Sequence, residues 1–261
     1  MTRMPAPNDQ PLVEFRNVDL MIKGQEIIKD LSFTFGAGEF VCVIGPSGCG
    51  KTTTLRLIAG LARPTGGSVF YAGEPVKGPR PDVAVVFQDY GKALLPWRTA
   101  AGNIQLVLDT FKVPRSEHRA RIDALLAKVG LAGKNDAYPA EMSGGMQQRL
   151  QIARCLAQQP RLLLMDEPFG ALDAMTRQAL QDEMQSIVAD TGTTVFFVTH
   201  DLEEAAYLGD RVIGLLPHPG RLGVDLGSTL PRPRDQLTTR ETPGFLQMRH
   251  TLFNFIRGAE Q

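Results

Sequence analysis

The sequence predicts an α/β protein: a mixed β-sheet with an antiparallel layer, and an α-helical subdomain inserted into it. Three observations carry this expectation. Leu12–Leu20 and Ile28–Phe35 alternate apolar and polar residues, as half-buried antiparallel strands do. Val83–Phe87, Leu162–Met165 and Thr194–Val198 are instead continuous apolar runs, the pattern of strands covered on both faces. Between about 96 and 160 the apolar spacing changes to the helical i, i+3, i+4, i+7.

In chain order, Met1–Pro11 is rich in proline and polar residues. It reads as a flexible N-terminus with no apolar core of a signal peptide. The main domain is expected over 12–230, with the helical insert at about 96–160 inside it, and a short C-terminal tail over 231–261. Pro64-Thr65-Gly66-Gly67 is a turn before the strand Ser68–Tyr71, and Gly78-Pro79-Arg80-Pro81 is a second breaker. Two insert helices carry Ile104, Val107, Leu108, Phe111 and Ile122, Leu125, Leu126, Val129, separated by Pro114. A third starts near Gly144 and stops at Pro160. A helix over Met175–Ala189 between two apolar strands makes a βαβ unit, and hence a parallel sheet. Arg211–Leu216 and Leu222–Leu226 form a final pair, and the tail is amphipathic through Phe245, Met248, Leu252 and Phe255.

With 28 basic and 28 acidic residues the chain of 261 has no overall charge, which argues against nucleic acid as a partner. Three cysteines, an odd number without metal-ligand spacing, read as small apolar residues of a reducing compartment. No apolar stretch approaches the roughly 20 residues that a membrane span needs.

The chemistry centres on Gly45-Pro46-Ser47-Gly48-Cys49-Gly50-Lys51-Thr52, which fits G-x-x-x-x-G-K-[ST] between an apolar strand, Glu39–Ile44, and a helix over 53–60. Glycines let such a loop curl its N–H groups onto phosphates at a helix N-terminus. Lys51 can then reach the β- and γ-phosphates, and the Thr52 hydroxyl can ligate Mg²⁺. The loop is read as binding a nucleoside triphosphate through Gly45 to Thr52, together with Thr53 of the helix. Leu162–Met165 ends in Asp166 and Glu167: the first suits the Mg²⁺ shell, the second a general base for the attacking water. Ser143-Gly144-Gly145 opens a helix as a second anion site, although Ser143 would serve equally as a plain N-cap. Two phosphate cradles in one chain suggest two copies sharing their nucleotides.

These motifs, in this order, resemble the ATP-binding subunit of ABC transporters over nearly the whole chain: GPSGCGKTT at 45–53, Gln88, MSGGMQQR at 142–149, LLLMDEP at 162–168, ALD at 171–173 and Thr199-His200. The resemblance implies a P-loop NTPase core of the ABC type. It also implies a head-to-tail homodimer over two molecules of ATP with Mg²⁺. Ser143, Gly144, Gly145 and Met146 would touch the ATP held by the opposite copy, and Asp173 would link the two sites. Glu167, His200 and Gln88 would be catalytic, with Gln88 also at the metal. Two departures stand out. Met142 and Met146 replace the first and last residues of the usual Leu-Ser-Gly-Gly-Gln, and methionine cannot reproduce glutamine's hydrogen bonds. Ile22 stands where an aromatic residue usually stacks on adenine, with Phe15 a conceivable substitute.

Leu94-Leu95-Pro96-Trp97, with the only tryptophan, reads as a docking patch for a helix of a membrane subunit, though Trp97 would also suit the insert's core. With the Pro219–Arg221 turn and the Pro231–Arg234 stretch, it resembles importers of nitrate, sulfonates and taurine. The expected partners are two integral membrane permease subunits and an external substrate-binding protein, with this chain peripheral on the cytoplasmic face of the inner membrane. The rivals are a soluble ABC-type ATPase of DNA repair or translation, and a regulatory ATP-binding module without turnover.

Overall fold

A computed structural model describes residues 10–89, 93–170 and 172–260. The N-terminus expected to be flexible therefore lies almost wholly outside the described residues, as does Ala171. In chain order the strands are β1 (Val13–Ile22), β2 (Gln25–Phe35), β3 (Phe40–Ile44), β4 (Gly66–Tyr71), β5 (Glu74–Pro75), β6 (Val83–Val86), β7 (Leu162–Asp166), β8 (Thr194–Val198), β9 (Arg211–Leu216) and β10 (Arg221–Gly227). The helices are α1 (Lys51–Ile58), α2 (Ala100–Thr110), α3 (Arg115–Lys128), α4 (Gly144–Leu156), α5 (Ala174–Thr191), α6 (Leu202–Leu208) and α7 (Pro243–Ala259). Two compact units result: residues 1–80 with 192–261, and residues 81–191.

In the first unit, β3 lies between β8 and β9 and runs parallel to both, and β10 adds antiparallel to β9. All five residues of β3 and of β8 are buried, as their uninterrupted apolar runs require. A separate antiparallel sheet runs β2-β1-β4-β5. Its inward rings build the core: Phe15 stacks on Phe33 at 4.5 Å, and Phe35 on Phe196 of β8 at 5.6 Å. Phe15 is thus committed to the core at 2% exposure and is not free to replace a base-stacking ring. The helix after the phosphate loop begins at Lys51, two residues earlier than its side-chain pattern suggests, directly after Gly50, whose left-handed conformation favours glycine.

The tail is a full helix, α7, capped by Thr242, whose hydroxyl accepts from Phe245 N. It buries Phe245 and Leu252, while its Phe255 ring fills the space beside Gly214 of β9 and Gly223 of β10. The Pro231–Arg234 stretch proves structural. Arg234, 8% exposed, donates to the Tyr207 and Gly209 carbonyls, and Arg232 Nε donates to Asp210 at 2.9 Å.

The second unit pairs β6 with β7 in parallel, residue for residue from Val83–Leu162 to Val86–Met165. The helical block expected at 96–160 lies within this unit as α2, α3, a 3₁₀ turn at Pro139–Glu141 and α4. Arg149 of α4 donates to the Val129 carbonyl and, at 2.7 Å, to Glu183 of α5. Burial pushes the Glu183 carboxyl above its ordinary 4.5, and Arg149 offsets this only in part.

Each unit yields a prediction. A Cβ on Gly214 would lie 2.4 Å from Phe255 Cε1, so Gly214→Ala is expected to cost about 1–3 kcal/mol in urea unfolding. Gly227→Ala, with nothing within 4 Å, is expected to cost under about 1 kcal/mol. Equal losses in the two would remove the Phe255 contact as the cause. The raised Glu183 carboxyl contributes stability that is fully present below its unfolded value and lost as pH rises through the folded one. Stability of Glu183→Gln relative to the parent is therefore expected to rise as unfolding is repeated from about pH 4 to pH 7. A difference that stays flat would mean an unperturbed carboxyl.

Candidate functional site

The phosphate loop leaves the end of β3, and Thr199-His200 leaves the end of the adjacent parallel β8. Val43 pairs with Val198, and Thr199 N donates to the Val43 carbonyl at 3.1 Å. Gly45 and His200 therefore emerge side by side, one strand spacing apart, on the C-terminal edge where α/β sheets bind ligands. His200 is exposed there. Asp201 caps α6, accepting from the Glu203 and Glu204 amides. Glu204 stands at capping-box spacing from Asp201 and accepts the Thr199 hydroxyl at 2.6 Å. That buried bond fixes the residue just before His200.

The loop leaves room only for glycine at Gly45 and favours it by conformation at Gly50. Gly45 has φ 153°, and a Cβ there would lie 2.6 Å from both Cys49 Sγ and the Leu215 carbonyl oxygen. Gly50, at φ 93°, would bring a Cβ to 3.2 Å from Ile28. Lys51, 8% exposed, donates from Nζ to the Gly45 carbonyl at 2.7 Å and the Pro46 carbonyl at 3.1 Å. The ammonium thus lies over the loop, with its charge held where phosphate oxygens are expected. Thr52 and Thr53 follow in the first turn of α1, and Ser47 and Gly48 form the loop's crest. Cys49 is buried, and burial pushes its thiol up, so it stays a neutral thiol inside the loop. Ile22 ends β1 at 47% exposure.

In the second unit, Asp166 closes β7 at 8% exposure and Glu167 follows at φ 45°, a left-handed conformation uncommon for a glutamate. The β6–β7 register then sets Gln88 opposite, its Nε2 3.4 Å from Glu167 Oε2. The pair read as catalytic is brought together by two parallel strands.

Ser143 is exposed and caps α4, its Oγ accepting from Met146 N at 3.3 Å, so the capping reading of this serine holds alongside any anion contact. Gly144, Gly145 and Met146 open the helix beside it, and with Leu172, Asp173 and Thr176 they line an open pocket. Asp173 accepts from Thr176 N at 3.0 Å and Oγ1 at 2.7 Å, bonds that hold its carboxyl below the usual range. The Thr176 methyl in turn reaches Gly145, where a Cβ would lie only 2.9 Å away. A chain of contacts thus ties Asp173 to the Ser-Gly-Gly turn, and nothing in the spacing of the two motifs announces it.

Of the docking residues, Trp97 is 71% exposed and Pro96 is exposed, which excludes Trp97 from the insert's core. Leu94 is 3% exposed and Leu95 half-buried, so both support the turn from beneath and the patch narrows to Pro96 and Trp97. Asn103, fully buried, holds this turn. Its amide donates to the Leu95, Arg98 and Thr99 carbonyls and accepts from Leu95 N. Sequence pattern alone did not single Asn103 out, since one asparagine on an apolar helix face carries no motif. Among the described residues no helix is long and apolar enough to cross a membrane, and no cluster of His, Cys, Asp and Glu side chains suits a metal by itself.

Comparison with known proteins agrees with this geometry. Residues 28–170 match the ABC transporter family. The nitrate import ATP-binding protein NrtC of Synechococcus elongatus is 48% identical over 243 residues, which are 92% of this chain but 37% of that protein. This chain therefore spans little more than a third of that relative. The bicarbonate transport ATP-binding protein CmpD of Synechocystis sp. is 40% identical over 261 residues, 96% of this chain and 92% of that protein. A solved dimeric ATP-binding cassette in a post-hydrolysis state, bound to ADP and Pi, is 31% identical with a TM-score of 0.71, covering 82% of this chain and 98% of that one. With more than half its length matched and the motifs standing on the strands and helix starts that suit them, the chain belongs to the ABC transporter family as an ATP-binding member.

Proposed function

We propose that this chain is the ATP-hydrolysing subunit of an importer for a small oxyanion. Glu167 and its position carry the catalytic part: half-buried at the end of a fully apolar strand, held in a left-handed conformation and paired with Gln88 at 3.4 Å. Such placement suits a general base that must keep one orientation.

The loop residues Gly45–Thr53 would bind the triphosphate through backbone N–H groups, with Lys51 exchanging its loop carbonyls for β- and γ-oxygens. Mg²⁺, when bound, would neutralise charge on those phosphates, with Thr52 offering a hydroxyl, Asp166 a carboxylate and Gln88 an amide oxygen. Glu167 would take the proton of a water whose oxygen attacks the γ-phosphorus, as the bond to the β–γ bridging oxygen breaks and ADP leaves. His200 would hold the γ-phosphate and orient that water. The Ser143-Gly144-Gly145 turn, with Ser143 exposed, would meet the nucleotide of a second copy, with Asp173 beside it at the interface.

The transport part rests on the relatives' names. Nitrate belongs to the substrate group expected from the sequence. Bicarbonate, which that reading did not include, is another small planar oxyanion, and the two together favour this class over sulfonates or taurine. Partners would be two permease subunits met by Pro96 and Trp97, and a substrate-binding protein outside, with this chain on the cytoplasmic face of the inner membrane. Nitrate import in one relative's name and bicarbonate transport in the other's weigh against a soluble ATPase of DNA repair or translation.

Glu167→Gln is expected to lower phosphate release by about 100-fold or more while leaving ATP affinity within about threefold of the parent. Turnover at the parental rate would remove Glu167 as the base. Trp97→Ala is expected to leave the isolated chain's ATP hydrolysis unchanged and to weaken co-purification with co-expressed permease subunits about tenfold or more. Undiminished recovery of the complex would place docking elsewhere.

A further inference from the structure

The hairpin that joins β9 to β10 is built against the phosphate loop. Its turn, Pro217-His218-Pro219-Gly220, is tied to β2 by two bonds: Gly220 N donates to the Ile27 carbonyl at 2.8 Å, and the Gly220 carbonyl accepts from Lys29 N at 3.0 Å. Its backbone also touches the loop. A Cβ on Gly220 would lie 2.3 Å from the Cys49 carbonyl oxygen, closer than any side chain is tolerated, and Leu215 of β9 approaches Gly45 as described above. The turn and the loop therefore have one fixed relation, with no side chain between them.

His218 rides on this brace. Its backbone has φ 52°, a left-handed conformation that side-chain-bearing residues adopt only at a cost. Its side chain is exposed, and its Cε1 stands 3.8 Å from where a Gly48 Cβ would be, in ordinary contact and with no other group within 4 Å of that point. An exposed imidazole is thus placed at the crest of the phosphate loop. The other rings of the first unit's inner core, Phe15, Phe33, Phe35, Phe40 and Tyr71, are buried, and the end of β1 offers only the aliphatic Ile22. Imidazole beside a polyphosphate site has obvious chemistry: one N–H donor when neutral, two donors and a positive charge when protonated.

We propose that His218 is a nucleotide-binding residue, held over the phosphate loop by the β9–β10 hairpin to donate a hydrogen bond to the polyphosphate of ATP and ADP. The proposal rests on the nucleotide-binding reading of the loop, and the test separates the two. ATP and ADP are titrated calorimetrically into the full chain, its His218→Ala variant and its His218→Arg variant. His218→Ala is expected to weaken both nucleotides about tenfold, the effect of one lost charge-assisted hydrogen bond. His218→Arg, which keeps an N–H donor at that position, is expected to remain within about threefold of the parent. A loss below about threefold in the alanine variant overturns the proposal and leaves the loop's assignment standing. So does an arginine variant no tighter than alanine, or an alanine variant whose nucleotide-free thermal midpoint falls, since an exposed ligand contact should not support the fold. A parent that binds neither nucleotide overturns the reading of the loop and this proposal with it.

Discussion

The constraint on which the first unit depends is that a loop offering its backbone N–H groups to an anion cannot also use them to hold itself in place. It must be fixed from outside, by backbone packed on backbone. Gly45 and Gly220 are the points of closest approach, with Cβ positions 2.6 Å and 2.3 Å from neighbouring carbonyl oxygens, and Gly50 adds a third against Ile28. Around them the rest follows. β9 must sit beside β3 to bring Leu215 to Gly45, and β2 must reach Gly220. Arg234, Asp210 and α7 then cover the far side of β9. A large share of the last 70 or so residues can be understood as scaffolding for eight.

The second unit solves a different problem with side chains. Glu167, Ser143 and Asp173 must point outward with fixed direction from loops and helix ends, where backbone ladders cannot hold them. Each is fixed by a neighbour instead: Glu167 by Gln88 across two parallel strands, Ser143 by capping its own helix, and Asp173 by Thr176, which abuts Gly145. The Arg149–Glu183 pair fastens α4 to α5 beneath them, at a desolvation cost visible in the raised Glu183 carboxyl. Met146 in place of glutamine matters less to this arrangement than its identity suggests, because the capping bond uses its backbone N–H.

What was legible in the sequence was whatever has a period or a fixed local spacing. The phosphate loop, the acid pair ending β7 and the strands buried on both faces could be read because their chemistry is compressed into consecutive residues. The α7 helix was visible only as an apolar stripe, since its partner Gly214 lies about 40 residues away. Phe15 looked available for a base because an alternating strand does not reveal which face meets another sheet; Phe33 and the β8 layer decide that. The Pro231–Arg234 stretch resembled a group signature, but its arginines serve the Tyr207–Asp210 corner. In each case a long-range partner outcompeted a local rule.

Asn103 shows the same principle at the surface that would meet a partner. A turn exposing Trp97 at 71% has no apolar support on its outer side and would lose its shape if its backbone were free to rearrange. One fully buried amide makes four contacts to that turn from below, accepting from Leu95 N and reaching the carbonyls at 95, 98 and 99, the last of which also accepts the first helical bond of α2 from Asn103 N. The backbone that carries the ring is therefore ordered before any partner arrives, and the entropy of ordering the turn is met on folding rather than on association. Preorganisation of this kind would suit the docking contact proposed for Pro96 and Trp97, because the turn is bonded to the first turns of α2 and would not have to fold on association.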